Sequence, residues 1–369
     1  MIIDAAQHNH AGMNILFISR SYPPTIGGIE KQNYEIGHAL NRICRTTVVA
    51  NRHGKWALPV FIPYAILKTI FTARKYDVIL LGDGALSVIG YLLKLFSRKP
   101  VACIVHGLDV TYSNRIYQKF WVGLFMHRID RFIAVGNETI NQGKNRGLPA
   151  SKFTFIPNGT STSESTTQYT RHDLDRFTGE KISGRILLTL GRLVKRKGIA
   201  WFIENVFRKL DEDIIYIIAG EGKEKDHILE IISKYSLQKR VFLVGRVTET
   251  EKEMLYRTAD LFIQPNIQVA GDMEGFGLVV LEAAAHGLVV IAARLEGLID
   301  AIHHGENGYL VREQDADEYL QYIKTVLDDP EKQKAFGLQA REYVTKHFSW
   351  DASARKYSTV LDELTHAAP

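Results

Sequence analysis

The chain has 369 residues, more than one hydrophobic core normally organises, so its length predicts two domains. Apolar residues make up 46% of the sequence and charged residues 24%, which is ordinary for a globular protein. Cys44 and Cys103 are too few for a disulfide framework and lack metal-binding spacing, which favours a reducing cytoplasm.

The net charge of +5 hides an asymmetry between the two halves. Residues 1–165 hold 19 Lys and Arg against 9 Asp and Glu, whereas the remainder holds 27 against 32. A basic first half predicts a surface that meets an anion, either nucleic acid or lipid. Two differently solvated surfaces are the alternative.

The N-terminus, residues 1–12, has neither the basic flank nor the apolar core of a signal peptide. We expect a loose leader there, with Met13 as an alternative start to Met1. No run of 18 or more apolar residues occurs, so no membrane-spanning helix is predicted.

Apolar runs of Val, Ile and Leu alternate with helical patterns along the chain. The predicted strands are 14–19, 46–50, 77–81, 101–105 and 131–135, then 185–190, 214–219, 241–244, 261–265, 288–292 and 308–311. Continuous apolar runs are typical of parallel strands buried on both faces. The pattern therefore predicts an α/β protein, with two Rossmann-like domains whose parallel sheets face an interdomain cleft.

A polar, Ser/Thr-rich stretch at 157–170 predicts an interdomain linker that runs to about residue 183. We place an N-terminal domain at 1–170 and a C-terminal domain at 171–348. The segment 349–369 is predicted to be a helix with Ser349 as its N-cap, packing back toward the N-terminal domain.

Two motifs of the first half follow predicted strands. Gly27 and Gly28 stand at a helix entrance, where backbone N–H groups can approach an anion; a plain turn is equally consistent. His106 follows the strand at 101–105, where a doubly wound sheet places functional groups. The alternative is a loop histidine beside Asp109 as a helix N-cap.

The dinucleotide fingerprint G-x-G-x-x-G is incomplete where it begins at Gly82 and at Gly220. This counts against a nicotinamide or flavin enzyme.

A basic loop follows the first strand of the second half. Arg192, Lys195, Arg196 and Lys197 precede a predicted helix, and cations there would attract phosphate oxygens. A solvated basic turn is the alternative.

Two glutamates flank a glycine-rich turn further on. Glu274 precedes the turn Gly275-Phe276-Gly277-Leu278, and Glu282 lies one turn into an otherwise apolar helix. The backbone N–H groups of such a turn suit a diphosphate. Carboxylates on either side of it predict hydrogen bonds from neutral hydroxyls, such as those at the two ends of a nucleotide sugar.

Together these residues resemble the retaining glycosyltransferases of the GT-B fold, family four, over nearly the whole chain from about Met13. The E-(x7)-E signature from Glu274 to Glu282 is specific, and so is GR-(x4)-KG with Arg192 and Lys197. Weaker matches are GGIE, HGLDV, IPNGT, GEG, LVGRV and FSW.

The resemblance implies where the donor would bind. Its diphosphate would contact Arg192 and Lys197, with the backbone at Gly27-Gly28 and at 277–279. Its ribose would donate to Glu282, and its base would touch the region of Arg246 and Val247.

The resemblance also implies the chemistry. Glu274 would hold hydroxyls of the transferred sugar, and His106 would lie beside the reacting carbon. The family needs no divalent metal, because Arg and Lys neutralise the leaving diphosphate. Retention is usually explained by front-face attack, in which the leaving phosphate helps to deprotonate the acceptor.

The function expected is cytoplasmic, metal-independent, retaining transfer of a sugar from a nucleoside-diphosphate sugar to a hydroxyl acceptor. Bacterial surface polysaccharide or glycolipid synthesis is the expected setting. A GT-B sugar-nucleotide epimerase and an inactive sugar-nucleotide-binding partner subunit are the alternatives. Nucleic-acid binding is not expected, because the second half is acidic and has no reading-helix motif.

Aromatic and basic residues interleave in two helical segments, 55–75 and 115–131. They predict peripheral contact with an anionic membrane and a lipid-linked acceptor. Core helices with snorkelling basic ends are the alternative.

Overall fold

The computed structural model describes residues 12–25, 27–160 and 167–367, with side chains to residue 366. Most of the predicted leader and six residues of the predicted linker, 161–166, lie outside these ranges. The chain divides into two compact units. The N-terminal unit comprises residues 1–159 and 348–369, and the C-terminal unit comprises residues 160–347.

The N-terminal unit contains a six-stranded parallel sheet in the order β2-β1-β3-β4-β5-β6. Its strands are β1 Asn14–Ser19, β2 Arg45–Ala50, β3 Val78–Leu81, β4 Val101–Val105, β5 Arg131–Ala134 and β6 Phe153–Phe155. Its helices are α1 Gly28–Ile43, α2 Leu58–Thr72, α3 Ser87–Phe96, α4 Gly107–Thr111, α5 Arg115–Tyr117 and α6 Asn137–Asn145. A π-helix, Gln118–Phe125, continues α5.

The C-terminal unit opens with α7, Arg171–Thr178, and contains a second six-stranded parallel sheet. Its strands are β7 Arg185–Leu190, β8 Ile214–Ala219, β9 Val241–Gly245, β10 Leu261–Gln264, β11 Val289–Ala293 and β12 Tyr309–Val311. Its further helices are α8 Ile199–Asn205, α9 Lys225–Lys234, α10 Glu249–Thr258, α11 Leu278–Ala285, α12 Gly297–Ala301, α13 Ala316–Leu327 and α14 Pro330–His347. The strand order is β12-β11-β10-β7-β8-β9.

The last helix, α15 Trp350–Ala367, belongs to the N-terminal unit and packs against α1. The Ser349 hydroxyl accepts from the Ala352 N–H at 3.2 Å, as an N-cap does. Ser353 Oγ donates to the Pro157 carbonyl at 2.9 Å, which holds the helix beside the end of β6.

The α/β prediction is confirmed, and each of the eleven predicted strands lies within one residue of its predicted bounds. Parallel strands covered on both faces need continuous apolar runs, and that signal is local. β6 was missed because its three residues, Phe153–Phe155, form a short and half-buried strand.

The linker prediction was wrong over α7. Thr170 donates its N–H and its hydroxyl to Asp173 Oδ2, both at 2.8 Å, and this bond fixes the start of the helix. Leu174 is fully buried, and Gly179 ends the helix with φ +74°. The division between the compact units falls at residues 159 and 160, upstream of the predicted boundary at 170.

The sequence predicted no helix able to cross a membrane, and this needs correction. The helical stretch Lys55–Lys75, which contains α2, has 21 residues and a mean hydropathy of 1.4 in its most apolar window. By length and composition it could span a bilayer, although Lys68 interrupts the apolar run. Only 17% of that window is buried in the described part of the chain.

Candidate active site

The strand order of the C-terminal sheet reverses between β7 and β10. In open α/β sheets, ligands bind at such a switch point, beyond the carboxyl ends of the strands. The loop after β7 carries Arg192 and Lys197, and the loop after β10 carries Glu274. The topology therefore brings together two motifs that are far apart in sequence.

The basic loop after β7 is packed tightly against the exit of β10. Gly198 has φ +65°, and a Cβ there would lie 1.9 Å from the Pro265 carbonyl oxygen, so only glycine fits. The Ile267 N–H donates to the Arg196 carbonyl at 2.9 Å. These contacts bury the side chains of Arg196 and Lys197.

Glu274 is buried and ion-paired with both of these cations. Its Oε2 accepts from Arg196 Nη1 at 2.6 Å, from Lys197 Nζ at 2.5 Å and from Asn266 Nδ2 at 3.1 Å. Arg196 Nε also donates to Asp272 Oδ1 at 3.0 Å. Four charged side chains thus form one nearly neutral network across the switch point.

The network holds Glu274 in its charged form. Burial alone raises the pKa of a carboxyl group, but Lys197 and Arg196 outweigh it and lower the pKa of Glu274 to about 2. Burial lowers the pKa of Lys197, against the opposing effect of Glu274. A carboxylate held in this way is a weak base that can still accept hydrogen bonds from hydroxyls.

The turn before α11 has the geometry that the glycines predicted. Gly277 has φ +82° and directly precedes the first helical residue, Leu278. Phe276 is buried and anchors the turn, whereas a Cβ on Gly275 would meet no atom within 4 Å. The open side of Gly275 lets a ligand approach the N-terminus of α11 closely, where the helix dipole favours anions.

Glu282 is buried within α11, as its place in an apolar helix predicted. Its Oε2 accepts from the Tyr256 hydroxyl at 3.1 Å and lies 3.5 Å from Lys252 Nζ. Lys252 also pairs with Glu249 at 2.6 Å. These contacts orient the Glu282 carboxylate near the N-terminal end of its helix.

Two further predicted residues lie on loops of the C-terminal unit. Arg246 is exposed and Val247 is half-buried, both between β9 and α10 at the carboxyl end of the sheet. Arg192, after β7, is exposed, whereas Lys197 on the same basic loop is held in place by its ion pair with Glu274. Among the described residues, the cations paired with Glu274 are Arg196 and Lys197, and Arg192 makes no direct contact with it.

The N-terminal sheet reverses its strand order between β1 and β3. Arg20, after β1, donates from Nε to Oδ1 of Asp83, after β3, at 2.7 Å. The Asp83 side chain is fully buried, and its Oδ2 has no hydrogen-bond partner among the described residues. Neither residue was among the predicted site residues.

Gly27 and Gly28 lie near this point, at the start of α1. Gly27 has extended backbone that any residue adopts, and a Cβ on Gly28 would meet no atom within 4 Å. Both glycines are exposed. Neither backbone conformation requires glycine, but a Cβ on Gly27 would lie 2.2 Å from Glu30 Oε2, so only Gly28 leaves open space beside the helix N-terminus.

His106 is buried at the end of β4 and is itself the N-cap of α4. Its N–H donates to Asp109 Oδ2 at 2.9 Å, so the roles in the alternative prediction are exchanged. The imidazole Nε2 has no hydrogen-bond partner among the described residues. Asp109 serves the helix start, whereas Nε2 of His106 is a buried polar atom that the described part of the chain leaves unpaired.

Sequence reasoning missed several residues that hold the site together. They are Asn266 and Asp272 near Glu274, Tyr256 and Lys252 near Glu282, and Glu296, which accepts from the Glu274 N–H at 2.5 Å. Asn266 and Asp272 share the loop of Glu274, whereas the topology brings Tyr256, Lys252 and Glu296 to the motifs. Arg196 was visible as part of a basic run, but its burial could not be read from that run.

In residues 12–25, 27–160 and 167–367, no group of three or more His, Cys, Asp or Glu side chains could hold a metal ion. The candidate site of the C-terminal unit is instead lined by fixed cations, a helix N-terminus and two oriented carboxylates. In general, such groups are suited to a molecule with both phosphate and hydroxyl groups.

Comparison with known proteins identifies the class. The family model for glycosyl transferases group 1 matches residues 171–343, and the model for glycosyltransferase family 4 matches residues 10–164. Solved glycosyltransferases share the fold over nearly the whole chain. The chain belongs to family four of the glycosyltransferases and has the GT-B fold.

Relatives cover most of the chain at low identity. A GDP-mannose-dependent monoacylated α-(1-6)-phosphatidylinositol monomannoside mannosyltransferase of Corynebacterium glutamicum is 23% identical, over 95% of this chain and 98% of its own. A related mannosyltransferase of Mycobacterium tuberculosis is 28% identical, over 80% and 78%. The structure of Anabaena HepE with UDP-glucose has a TM-score of 0.78 at 19% identity, covering 95% of this chain and 100% of its own.

Proposed function

We propose that this glycosyltransferase transfers a sugar from a nucleoside-diphosphate sugar to a hydroxyl acceptor, with retention at the anomeric carbon and without a metal ion. The observation that carries the proposal is the Glu274 network. It sets a carboxylate whose pKa is lowered to about 2 beside fixed cations and the N-terminus of α11.

The donor would bind at the switch point of the C-terminal sheet. Its diphosphate would lie against Lys197, Arg192 and the turn at 275–278, and its ribose hydroxyls would donate to Glu282. The base would lie near Arg246 and Val247. The relatives that use GDP-mannose and the structural neighbour with UDP-glucose support a nucleotide sugar but differ in the base.

The low pKa of Glu274 suits a positioning role for this carboxylate. Glu274 Oε2 accepts hydrogen bonds from Lys197, Arg196 and Asn266. These bonds reduce the basicity and the nucleophilicity of this oxygen. Glu274 would therefore hold sugar hydroxyls rather than attack the anomeric carbon. Front-face attack, with the departing phosphate accepting the proton of the acceptor hydroxyl, fits this reading.

The cations would take the role that a divalent metal has in other transferases. As the bond from the sugar to the diphosphate breaks, negative charge develops on the leaving phosphate. Lys197 and Arg192 would stabilise that charge in a site that is already built, which costs little reorganisation.

A donor screen tests this function. UDP, GDP, ADP and their sugars are added to the protein, and the cognate nucleotide should raise the melting temperature. Incubation with the cognate sugar nucleotide and an acceptor should give a product whose anomeric configuration, measured by NMR, matches the donor's. Release of nucleoside diphosphate without an acceptor would favour an epimerase, and binding without turnover would favour an inactive partner subunit.

We also propose that the acceptor is lipid-linked and that the enzyme works at the cytoplasmic face of a membrane, in surface glycolipid or polysaccharide synthesis. An exposed apolar face on α2 and the turn before it supports this. Trp56, Val60 and Phe71 are 80%, 76% and 79% exposed, and Leu67 is 56% exposed. Leu95 and Phe96, at the end of the neighbouring α3, are exposed as well.

The face has the chemistry of an interfacial surface. Lys55, Lys68, Arg74 and Lys75 accompany the apolar residues of the same stretch, and basic groups near an anionic leaflet contribute about 1 kcal/mol each. The second predicted segment differs. Its Trp121 donates from Nε1 to the Ala85 carbonyl at 2.8 Å and so serves packing.

Liposome flotation tests the membrane contact. The protein should float with phosphatidylglycerol vesicles at low salt and return to the soluble fraction at high salt. Trp56→Ser with Phe71→Ser should abolish flotation, whereas the control Leu229→Ser with Leu338→Ser, at exposed positions of the C-terminal unit, should not. A wild type that stays soluble at low salt would favour a soluble acceptor. Retention on vesicles at high salt would indicate an inserted helix.

A further inference from the structure

Glu296 has an unusual backbone conformation for its residue type. It lies just before α12 with φ +48° and ψ −135°, a region that residues other than glycine rarely adopt. Such a conformation persists only when surrounding contacts enforce it. The contacts of Glu296 therefore indicate which part of the structure depends on this conformation.

The Glu296 carboxylate and the next residue, Gly297, contact the peptide around Glu274. Glu296 Oε2 accepts from the Glu274 N–H at 2.5 Å, and the N–H of Gly297 donates to the Glu274 carbonyl at 3.2 Å. A Cβ on Gly297 would lie 2.4 Å from the Gly275 carbonyl oxygen. The segment before α12 thus forms hydrogen bonds with both the N–H and the carbonyl of Glu274.

A second set of contacts holds the side chain of Glu274. Arg196 joins Glu274 Oε2 to Asp272 Oδ1, and the Arg196 side chain is only 6% exposed. Two loops from different strands therefore fix one carboxylate, one through its backbone and one through its oxygen.

We propose that Glu296 and Arg196 are positioning residues, which set where the Glu274 carboxylate stands toward the sugar of the donor. This inference rests on the proposed function and adds to it the residues that make the sugar subsite rigid. Arg196 would also allow Lys197 to bind the diphosphate. When Lys197 contacts phosphate, Glu274 would still be ion-paired with Arg196. Neither residue would need to touch the sugar.

The backbone of Glu296 provides the sharpest test. Glycine adopts φ +48° without strain, so Glu296→Gly should keep or raise the melting temperature. It also removes the carboxylate that holds the Glu274 N–H. We expect kcat to fall about a hundredfold, as for a misplacement of roughly 1 Å. The affinity for the cognate nucleoside diphosphate without sugar, chosen from UDP, GDP and ADP, should stay within about twofold of wild type.

Matched variants separate positioning from folding. Ser236→Gly relieves a similar backbone angle, φ 56°, at an exposed turn after α9 and should leave kcat unchanged. Arg196→Gln should lower kcat with the sugar donor more than it lowers affinity for the nucleoside diphosphate. Arg196→Lys, which keeps the charge, should restore part of kcat.

The outcomes are distinguishable. Wild-type kcat in Glu296→Gly would overturn the proposal. So would a fall in melting temperature of several degrees, or an equal loss of nucleoside diphosphate affinity, because each would indicate a purely structural role. A wild-type protein that transfers sugar from none of the donors would instead refute the proposed function itself.

Discussion

At the point where each sheet reverses its strand order, a carboxylate from one loop meets a cation from another. In the N-terminal unit Asp83 meets Arg20 at 2.7 Å. In the C-terminal unit Glu274 meets both Arg196 and Lys197. Both carboxylates are buried, and both follow strands next to the switch point.

The two carboxylates nevertheless differ in their acidity. Burial raises the pKa of Asp83, and the nearby Asp109 adds to this, against the opposing effects of Arg20 and His106. Burial also raises the pKa of Glu274, but Lys197 and Arg196 outweigh it and lower that pKa to about 2. The balance between burial and the neighbouring charges thus decides which form of each carboxylate the fold favours.

The comparison also separates two ways of building a site. The charged groups around Glu274 bond to one another, so this network is formed before any ligand binds. In the N-terminal unit, Asp83 Oδ2 and His106 Nε2 have no partner among the described residues. Those atoms are where a further group, from substrate or solvent, has most to add.

The largest effect should come from dismantling the Glu274 network. Glu274→Gln, Lys197→Ala and Arg192→Ala should each lower kcat/KM by two to three orders of magnitude, about 3–4 kcal/mol of transition-state stabilisation. The measurement is steady-state transfer with the cognate donor. Glu230→Gln, at an exposed carboxylate of the same unit, is the control. Near-normal turnover in all three variants would refute the site.

These three variants should differ in stability, and this sharpens the assignment. Glu274→Gln removes the carboxylate that pairs with buried Lys197 and leaves Arg196 with Asp272 alone; breaking a buried ion pair in this way typically costs about 3–5 kcal/mol. Arg192 is exposed, so Arg192→Ala should change stability by no more than about 0.5 kcal/mol. Urea unfolding measures both.

The next effect is the pH dependence of stability. The pKa of Glu274 is lowered from 4.5 to about 2, so its contribution is present above pH 4.5 and is lost as the pH falls toward 2. The contribution amounts to about 3 kcal/mol. Between pH 7 and pH 3, wild type should lose more unfolding free energy than Glu274→Gln. Equal losses would show that the network does not hold the carboxylate charged.

Asp83 should behave in the opposite sense. Because its folded pKa is raised, its contribution is present at low pH and declines as the pH rises through that pKa. That decline begins as the pH rises above 3.8, the ordinary pKa of the group, and Asp83→Asn should remove it. On acidification the variant should therefore lose stability more steeply than wild type, and a shallower acid loss would contradict the contrast between the two switch points.

The sequence was sufficient for every strand described here except the short β6, and for the loops at the switch point of the C-terminal sheet. Apolar runs such as Ile214–Ala219 and the turn around Gly277 are local patterns with a direct physical reading. The partners of those loops are not local. Tyr256 precedes Glu282 by a whole strand and loop, and Arg20 is 63 residues from Asp83, so only the folded topology pairs them.

A smaller effect is expected around Glu282. Tyr256→Phe removes the hydroxyl that donates to Glu282 Oε2 while keeping the ring in place. A hydrogen bond of this kind contributes about 1.5–3 kcal/mol at most when the partner is charged, and Lys252 remains nearby to compensate. We expect a rise of about tenfold in the dissociation constant of the cognate nucleoside diphosphate, measured by calorimetry, with kcat little changed. Loss of kcat at normal affinity would place Glu282 away from the ribose.

The smallest expected effect is that of chelation, which should leave turnover unchanged. In the proposed donor subsite, Lys197 is buried against Glu274 and Arg192 is exposed on the same loop, so one fixed and one exposed positive charge would act where a metal ion acts in other enzymes. Dialysis against EDTA followed by a transfer assay makes the test, with added magnesium and manganese as the second arm. The same assay on Lys197→Ala is the more sensitive test, because this variant lacks one of the two positive charges. If magnesium restores activity to that variant but leaves wild type unaffected, the lysine carries the charge that a metal supplies elsewhere. If wild type itself stops in EDTA and recovers with metal, the basic loop is not the group that neutralises the leaving phosphate.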